Sequence, residues 1–444
     1  MGSLFVAIVV MAVVPLIFKR AFVGVLAWSW LSFMYPHRLV YGFATRFPFL
    51  DVVAGSTILS ALFSRDKKRF PAHPVLIPFI LYALWVCITT VFAADVELAA
   101  GKLSNVMKAM LLGLMVPILI TTRHRMIALM MAIGGSFGFY ALKGGAFTLA
   151  TGGQFNVMGP MGTFIQDRND LALALVMCVP LFRYLHIHAP HKILRLGALG
   201  LMLGASVAVI GSQSRGGLIA IALVGLWLIL TSRHRFGLLC AAGIMVVFTI
   251  SFMPDSWRER METVETYQED GSAMGRLHMW RYGIELADNH PLGIGFRAYK
   301  NRAVAAGYLP QGIKLRASHS IYFEVLGEHG YVGLFLFLFL YAAAFFSFWD
   351  TRRKARRNGL YWAADLASMM QASLVAYAIG GAFLEVASFD LAFQIVGISM
   401  ALGLIVQETL KEREAAKAPA PVPFGLRRPQ PVGQLAATRQ GPAA

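Results

Sequence analysis

Charge is what this sequence has least of. Lys, Arg, Asp and Glu make up 14% of its 444 residues against 57% hydrophobic, whereas soluble globular domains carry about a quarter charged residues. With a mean hydropathy of +0.61, that shortage excludes a water-soluble globular chain. Acidic side chains are scarcer than basic ones, 23 against 40. The resulting net charge of +17 invites a nucleic-acid reading, but the basic residues fall mostly in short loops and the C-terminal tail. Membrane topology accounts for them there, and no nucleic-acid partner is expected. Only three cysteines occur, Cys87, Cys178 and Cys240, each inside an apolar run. They are expected to be small buried hydrophobes, and their spacing excludes a disulfide framework or a metal motif. Short alternating apolar/polar segments are missing too, which excludes a transmembrane barrel.

What is present is a series of apolar runs of about 15 to 25 residues, long enough to cross a hydrocarbon core of about 30 Å as helices. Candidate spans are 4–18, 21–35, 49–64, 75–93, 101–121, 125–142, 169–186, 193–211, 215–231, 236–253, 320–348, 362–384 and 389–407, a count of 12 or 13 because the first two are short. The expected fold class is an all-α polytopic membrane protein of about 12 transmembrane helices, with one long periplasmic loop containing short helices. The basic pair Lys19-Arg20 follows the first run instead of preceding it, and no small-residue cleavage site is evident, so that run is expected to be retained as a helix.

Linkers 65–69, 123–125, 191–195, 233–235 and 352–357 are strongly basic and fall on alternate sides of consecutive spans. The positive-inside bias places them in the cytoplasm, and loops 36–48, 94–100, 143–168, 212–215, 254–319 and 385–388 in the periplasm of a bacterial inner membrane. The organisation expected is spans 1 to about 10 in residues 1–253, a periplasmic loop region in 254–319, the last three spans in 320–410 and a disordered cytoplasmic tail in 411–444. Within the long loop, Trp257, Tyr267 and Trp280 suggest short helices lying on the membrane.

Several bases oppose the bias by lying on or near the outer side: Arg38, Arg46, Lys102, Lys108, Lys143, Arg168, Arg215, Arg276, Arg281, Arg297, Lys300, Arg302, Lys314 and Arg316. Something anionic is expected to be held there. The plainer reading for the loop residues is pairing with Glu259, Glu262, Glu265, Glu269 and Asp270.

Three residues carry the chemistry. Arg215, in Ser214-Arg215-Gly216-Gly217, opens a span whose N-terminus faces outward. Unpaired N–H groups, a positive dipole end, a serine cap and glycines that let an anion approach make a diphosphate cradle with the guanidinium; an interfacial arginine snorkelling to headgroups is the alternative. Arg276 shares a helical face with Trp280 at i, i+4, where a surface arginine braced by an indole is the alternative. His319 stands just before an apolar helix, on one face with Tyr322. The dipole and nearby cations disfavour imidazolium, leaving a neutral base near pH 7. Glu324 and Glu328 lie about 140° and about 180° round the helix from it, so any orienting partner comes from another segment. No close carboxylate pair and no His/Asp cluster is apparent near these groups. Two-carboxylate glycoside hydrolysis and metal-assisted diphosphate activation therefore lack their parts, and no cofactor or metal is expected. The Pro291 to Gly295 stretch contains Gly-x-Gly but reads as a turn, since no strand precedes it and no third glycine follows.

In Ser214-Arg215-Gly216-Gly217, Arg276 four before Trp280, the Pro291 to Gly295 turn, and His319 with Tyr322, Leu326, Glu328, Gly330, Gly333 and Leu334, the chain resembles the O-antigen ligase family across roughly residues 155–345. Ser320 stands where that family's histidine is often followed by asparagine. The N-terminal part, with Trp28-Ser29-Trp30, Tyr35-Pro36-His37-Arg38-Leu39 and Gly42-Phe43, is similar to exosortase-associated O-glycosylation ligases.

The resemblance implies metal-independent transfer of an undecaprenyl-diphosphate-linked glycan to lipid A-core at the periplasmic face, in contact with membrane lipids. Arg215 and Arg276 would bind the donor diphosphate and His319 would be the base of an inverting attack. Lys102, Lys108, Arg168, Ser214, Gly216, Arg281, Arg297, Arg316 and Tyr322 are further candidates for diphosphate or glycan binding. An O-antigen polymerase or a protein O-glycosylation ligase would use the same donor. A glycolipid transporter or flippase is the reading from another class, and it expects paired ionisable groups or broken helices near the midplane.

Overall fold

The computed structural model describes residues 2–232, 235–254, 271–309 and 313–417. Helices α1 (Gly2–Lys19), α2 (Phe22–Met34), α3 (Phe49–Phe63), α4 (Leu76–Val91), α5 (Val96–Leu119), α6 (Arg123–Ala150), α7 (Arg168–His188), α8 (Lys192–Gly211), α9 (Arg215–Thr231) and α10 (Arg235–Phe252) lead to the interhelical region. There α11 (Gly271–Asn289) and the short α12 (Arg302–Ala306) precede α13 (Ile321–Arg357), α14 (Tyr361–Gly381) and α15 (Asp390–Lys417). The protein is an all-α polytopic membrane protein. Eight of these helices are long and apolar enough to cross a membrane, and α3, α4 and α9 are shorter apolar helices.

The bundle centres on α7 and α15, the two most enclosed of the long helices. Helix α5 runs along α15 through a glycine contact. A Cβ at Gly113 would sit 2.7 Å from the Phe393 carbonyl oxygen, and one at Gly397 only 2.0 Å from that of Gly113. Small residues at such crossings let backbones approach where hydrophobic burial gives little drive between helices in lipid.

The basic linkers gather at one end. Arg125 bonds the Lys67 carbonyl and pairs with Asp66 at 2.6 Å. Lys67 and Arg69 both pair with Glu408, Arg123 lies over the Trp362 ring, and Arg413 bonds the Asn358 carbonyl. The opposite end holds the starts of α9 and α13. A Cβ at Gly216 would lie 3.6 Å from the Phe383 ring, and one at Gly381 2.7 Å from the Ile321 side chain, so both first turns touch the end of α14.

Four expectations change. Helix α6 continues to Ala150, so Lys143 is helical and the following loop starts later than residue 143. Helix α13 is not one straight span from residue 320, because Gly330 (φ 68°, ψ −170°) breaks it into a short segment and a long one. Helix α15 carries on to Lys417, seven residues into the expected tail; residues 418–444 lie outside the described residues. Of the cysteines only Cys178 is buried, while Cys87 is half-buried and Cys240 exposed. Apolar sequence in a membrane helix faces lipid as readily as protein. Trp257, Tyr267, Glu259, Glu262, Glu265, Glu269 and Asp270 also lie outside the described residues.

Candidate active site

The turn entering α9 is polar and buried. Gln213 adopts a left-handed backbone (φ 54°) and its Nε2 donates to the Gly153 carbonyl at 3.0 Å. The Ser214 N–H donates to Ser212 Oγ, and Ser214 Oγ caps the helix by accepting from the Gly217 N–H at 3.2 Å. Every polar atom of this turn named here has a partner, which fixes the helix start that carries half-buried Arg215.

His319 is placed by backbone geometry and by α11. Residues 313–319 are irregular, and His319 itself is left-handed (φ 47°), a conformation uncommon for residues other than glycine and stabilised here by its surroundings. The stabilising contacts flank it. The Trp280 indole N–H donates to the Ser318 carbonyl at 2.9 Å, and its ring stacks on Phe323 at 5.0 Å. Trp280 thus clamps α11 onto the His319 turn. One helical turn earlier on α11 stands Arg276, whose charge acts on the imidazole. Burial, then the Arg276 charge, holds the His319 pKa below the usual value, while Glu385 and Asp167 oppose and Arg316 adds to the depression. The half-buried imidazole is therefore neutral near pH 7 and can accept a proton.

The carboxylates acting on His319 come from other segments. Asp167 caps α7 through the Asn169 N–H, and Glu385, in the α14–α15 connection, pairs with Lys300 at 2.9 Å. A correction follows on carboxylate pairs. Glu324 and Glu328, one turn apart on α13, are both buried in the charge field of Lys102 and Glu385. Each pins a loop: Glu324 Oε2 accepts from the Ala387 N–H at 3.0 Å, beside Glu385, and Glu328 Oε1 from the Arg297 N–H at 2.7 Å.

The Pro291 to Gly295 stretch is a turn, and it seats against the α13 break. The N–H groups of Ile294 and Gly295 donate to the Glu328 carbonyl, and that of Tyr331 to the Pro291 carbonyl. Both turn glycines have φ +85°. The two glycines serve chain packing.

The remaining candidates divide. Arg316 approaches Gly275, next to Arg276. Lys102 faces the Phe164 ring at 5.8 Å and acts on Glu324 and Glu328. Arg168 donates to Asn156 at 3.1 Å beside Asp167, and Tyr322 donates to the Ala378 carbonyl at 2.7 Å. Lys108 instead pairs with Asp51 at 2.6 Å, and exposed Arg281 with Glu285 at 2.8 Å; these contacts give neither a link to His319. Sequence reasoning gave Glu385 and Asp167 no part in the site, and placed Lys300 only among the bases of the outer side. A carboxylate in a short loop is unremarkable until the chain folds, although Glu385 in so apolar a stretch was a usable signal.

Comparison with known families gives two matches. Residues 199–338, which hold Arg215, Arg276 and His319, match the family described as O-Antigen ligase, and residues 1–189 match a family of unknown function. No curated protein matches the chain.

Proposed function

We propose, from the premise that residues 199–338 make this chain a member of the O-antigen ligase family, that it is an inner-membrane glycosyltransferase moving a glycan from undecaprenyl diphosphate to lipid A-core. The single observation that carries this reading is His319 held in its turn by the bond from Trp280 of α11, the helix that also carries Arg276, at the end where α9 begins with Arg215. Gathering of the basic linkers at the other end supports a cytoplasmic assignment for that end and a periplasmic one for the site.

His319 takes the proton of an acceptor hydroxyl. The oxygen attacks the anomeric carbon from the side opposite the diphosphate, the carbon–oxygen bond to phosphate breaks with its electron pair on the leaving oxygen, and the anomeric configuration inverts. Arg215 and Arg276 bind the diphosphate and stabilise the charge it gains, with Arg168, Arg297, Arg316 and Lys102 as further cations and Ser214, Gly216 and Tyr322 shaping the approach. A positioned base contributes about 10²- to 10⁴-fold and each donor to developing charge about 10²- to 10³-fold.

The test is cellular. Membranes lacking the protein should accumulate lipid-linked glycan and leave the core uncapped, and adding purified protein with lipid A-core should produce a mobility shift. Glycan passing to protein, or growing longer on the lipid, would replace lipid A-core by another acceptor. Glycolipid crossing a liposome with no transfer at all would overturn the enzyme reading.

A further inference from the structure

At the basic end, far along the bundle from His319, groups on three helices meet at one carboxylate. Asp365, in the first turns of α14, accepts from or pairs with His188 Nε2 at 2.9 Å. Its charge also reaches Arg183 in the last turns of α7 and Arg352 near the end of α13. Arg123, at the start of α6, lies 5.2 Å from the centre of the Trp362 ring and, like Asp365, acts on Tyr184. Two guanidiniums and an imidazole thus share a single acid, and a third guanidinium, Arg123, joins them at Tyr184.

Charge excess alone would be ordinary topological bias. Tyr184 makes the difference. Its side chain is fully buried and its hydroxyl has no hydrogen-bond partner among the described residues. A buried hydroxyl without a partner costs about 1–3 kcal/mol, and tyrosine hydroxyls usually find one when buried. Here the unsatisfied group lies within the field of Arg123 and Asp365, next in sequence to Arg183 on α7. An oxygen-rich anion would satisfy all of these groups together: it accepts from the hydroxyl, binds guanidiniums bidentately and balances the surplus positive charge.

We propose that Tyr184, Arg183, Arg352 and Arg123 form a binding site for the phosphate of an anionic phospholipid headgroup, seated between α6, α7, α13 and α14 at the basic end of the bundle. Basic pockets between helices at this interface suit such headgroups. Half-buried Arg183 and Arg352 lie near the ends of α7 and α13, where a membrane helix approaches the headgroups, and the Trp362 ring beside Arg123 is the kind of aromatic surface found at that level. The site does not depend on the glycosyl-transfer reading.

Native mass spectrometry and thermal unfolding of the purified, delipidated full-length protein test it, titrated with phosphatidylglycerol, with phosphatidylcholine or with inorganic phosphate. Phosphatidylglycerol should be retained and should raise the unfolding temperature, while phosphatidylcholine should do neither. Arg183→Gln and Arg352→Gln should each weaken apparent phosphatidylglycerol affinity about tenfold, the scale of one charge-assisted hydrogen bond. Tyr184→Phe should weaken it by a smaller factor without loss of folding. The charge-matched control Arg353→Gln with Arg357→Gln, on exposed positions of the same helix end, should leave it unchanged. Equal weakening by the control would reduce the site to diffuse surface charge and overturn the proposal. Inorganic phosphate matching the lipid's stabilisation would overturn the lipid assignment.

Discussion

The indole of Trp280 donates to the carbonyl of Ser318, one residue before His319, at 2.9 Å. This bond holds the left-handed turn that presents the imidazole and fixes α11, and with it Arg276, against that turn. Trp280→Ala removes the bond and the stack on Phe323 and should lower ligation turnover about 10²-fold, the scale of an ångström-sized misplacement. Trp280→Phe keeps the stack and should lose about tenfold, close to one hydrogen bond. Steady-state ligation rates, with circular dichroism to confirm folding, separate the two.

The pH profile should follow the charges around His319. Burial and Arg276 lower its pKa from 6.5, with Glu385 and Asp167 acting the other way. The base works only when neutral, so kcat/KM should fall as pH drops through a value below 6.5. Glu385→Gln removes an opposing negative charge and should move that acid limb to still lower pH. Arg276→Gln should move it to higher pH while also weakening donor binding. A limb that stays put in both variants would mean that another group sets it.

Glu328 offers a direct check on whether the buried carboxylates act chemically or structurally. Its Oε1 accepts from the Arg297 N–H, a role that an amide oxygen can fill. Glu328→Gln should therefore keep ligation within about threefold, whereas Glu328→Ala strands the donor and should cost about 1–3 kcal/mol of stability. Thermal unfolding and ligation rates measured together decide it. An inactive but fully stable Glu328→Gln protein would make Glu328 a participant in the reaction.

Gly330 should tolerate no side chain. Its φ is +68°, and a Cβ there would fall 2.2 Å from the Pro291 carbonyl oxygen. Left-handed strain and overpacking each cost about 1–3 kcal/mol. Gly330→Ala should therefore lower the unfolding temperature and detach the 291–295 turn, which limited proteolysis near that turn would reveal.

The helices were legible because apolar runs of membrane length identify themselves. All thirteen expected spans, from residues 4–18 to 389–407, correspond to helices, with ends displaced mainly where polar residues stay helical, as in α6 and α15. The starts of α9 and α13 at one end followed from counting crossings. The break at Gly330 did not, since a glycine within a hydrophobic run carries no sign of its φ. The bond of Trp280 to Ser318, 38 residues on, was not legible, because i, i+4 spacing identifies neighbours on one helix alone. Glu324 and Glu328 were set aside by helical angle from His319, correctly as to that contact, but the angle could not show that both meet loops arriving from elsewhere.

The central claim is that His319 is the base and Arg215 a bidentate diphosphate contact. Purified protein in liposomes, given lipid-diphosphate-linked glycan and lipid A-core, tests it by the initial rate of ligation for His319→Ala and Arg215→Lys, with Arg281→Ala as a control on an exposed ion pair. His319→Ala should lose at least about 10²-fold and Arg215→Lys should lose heavily despite its retained charge, with the control near the unmodified rate. Full-rate ligation by His319→Ala would contradict the claim.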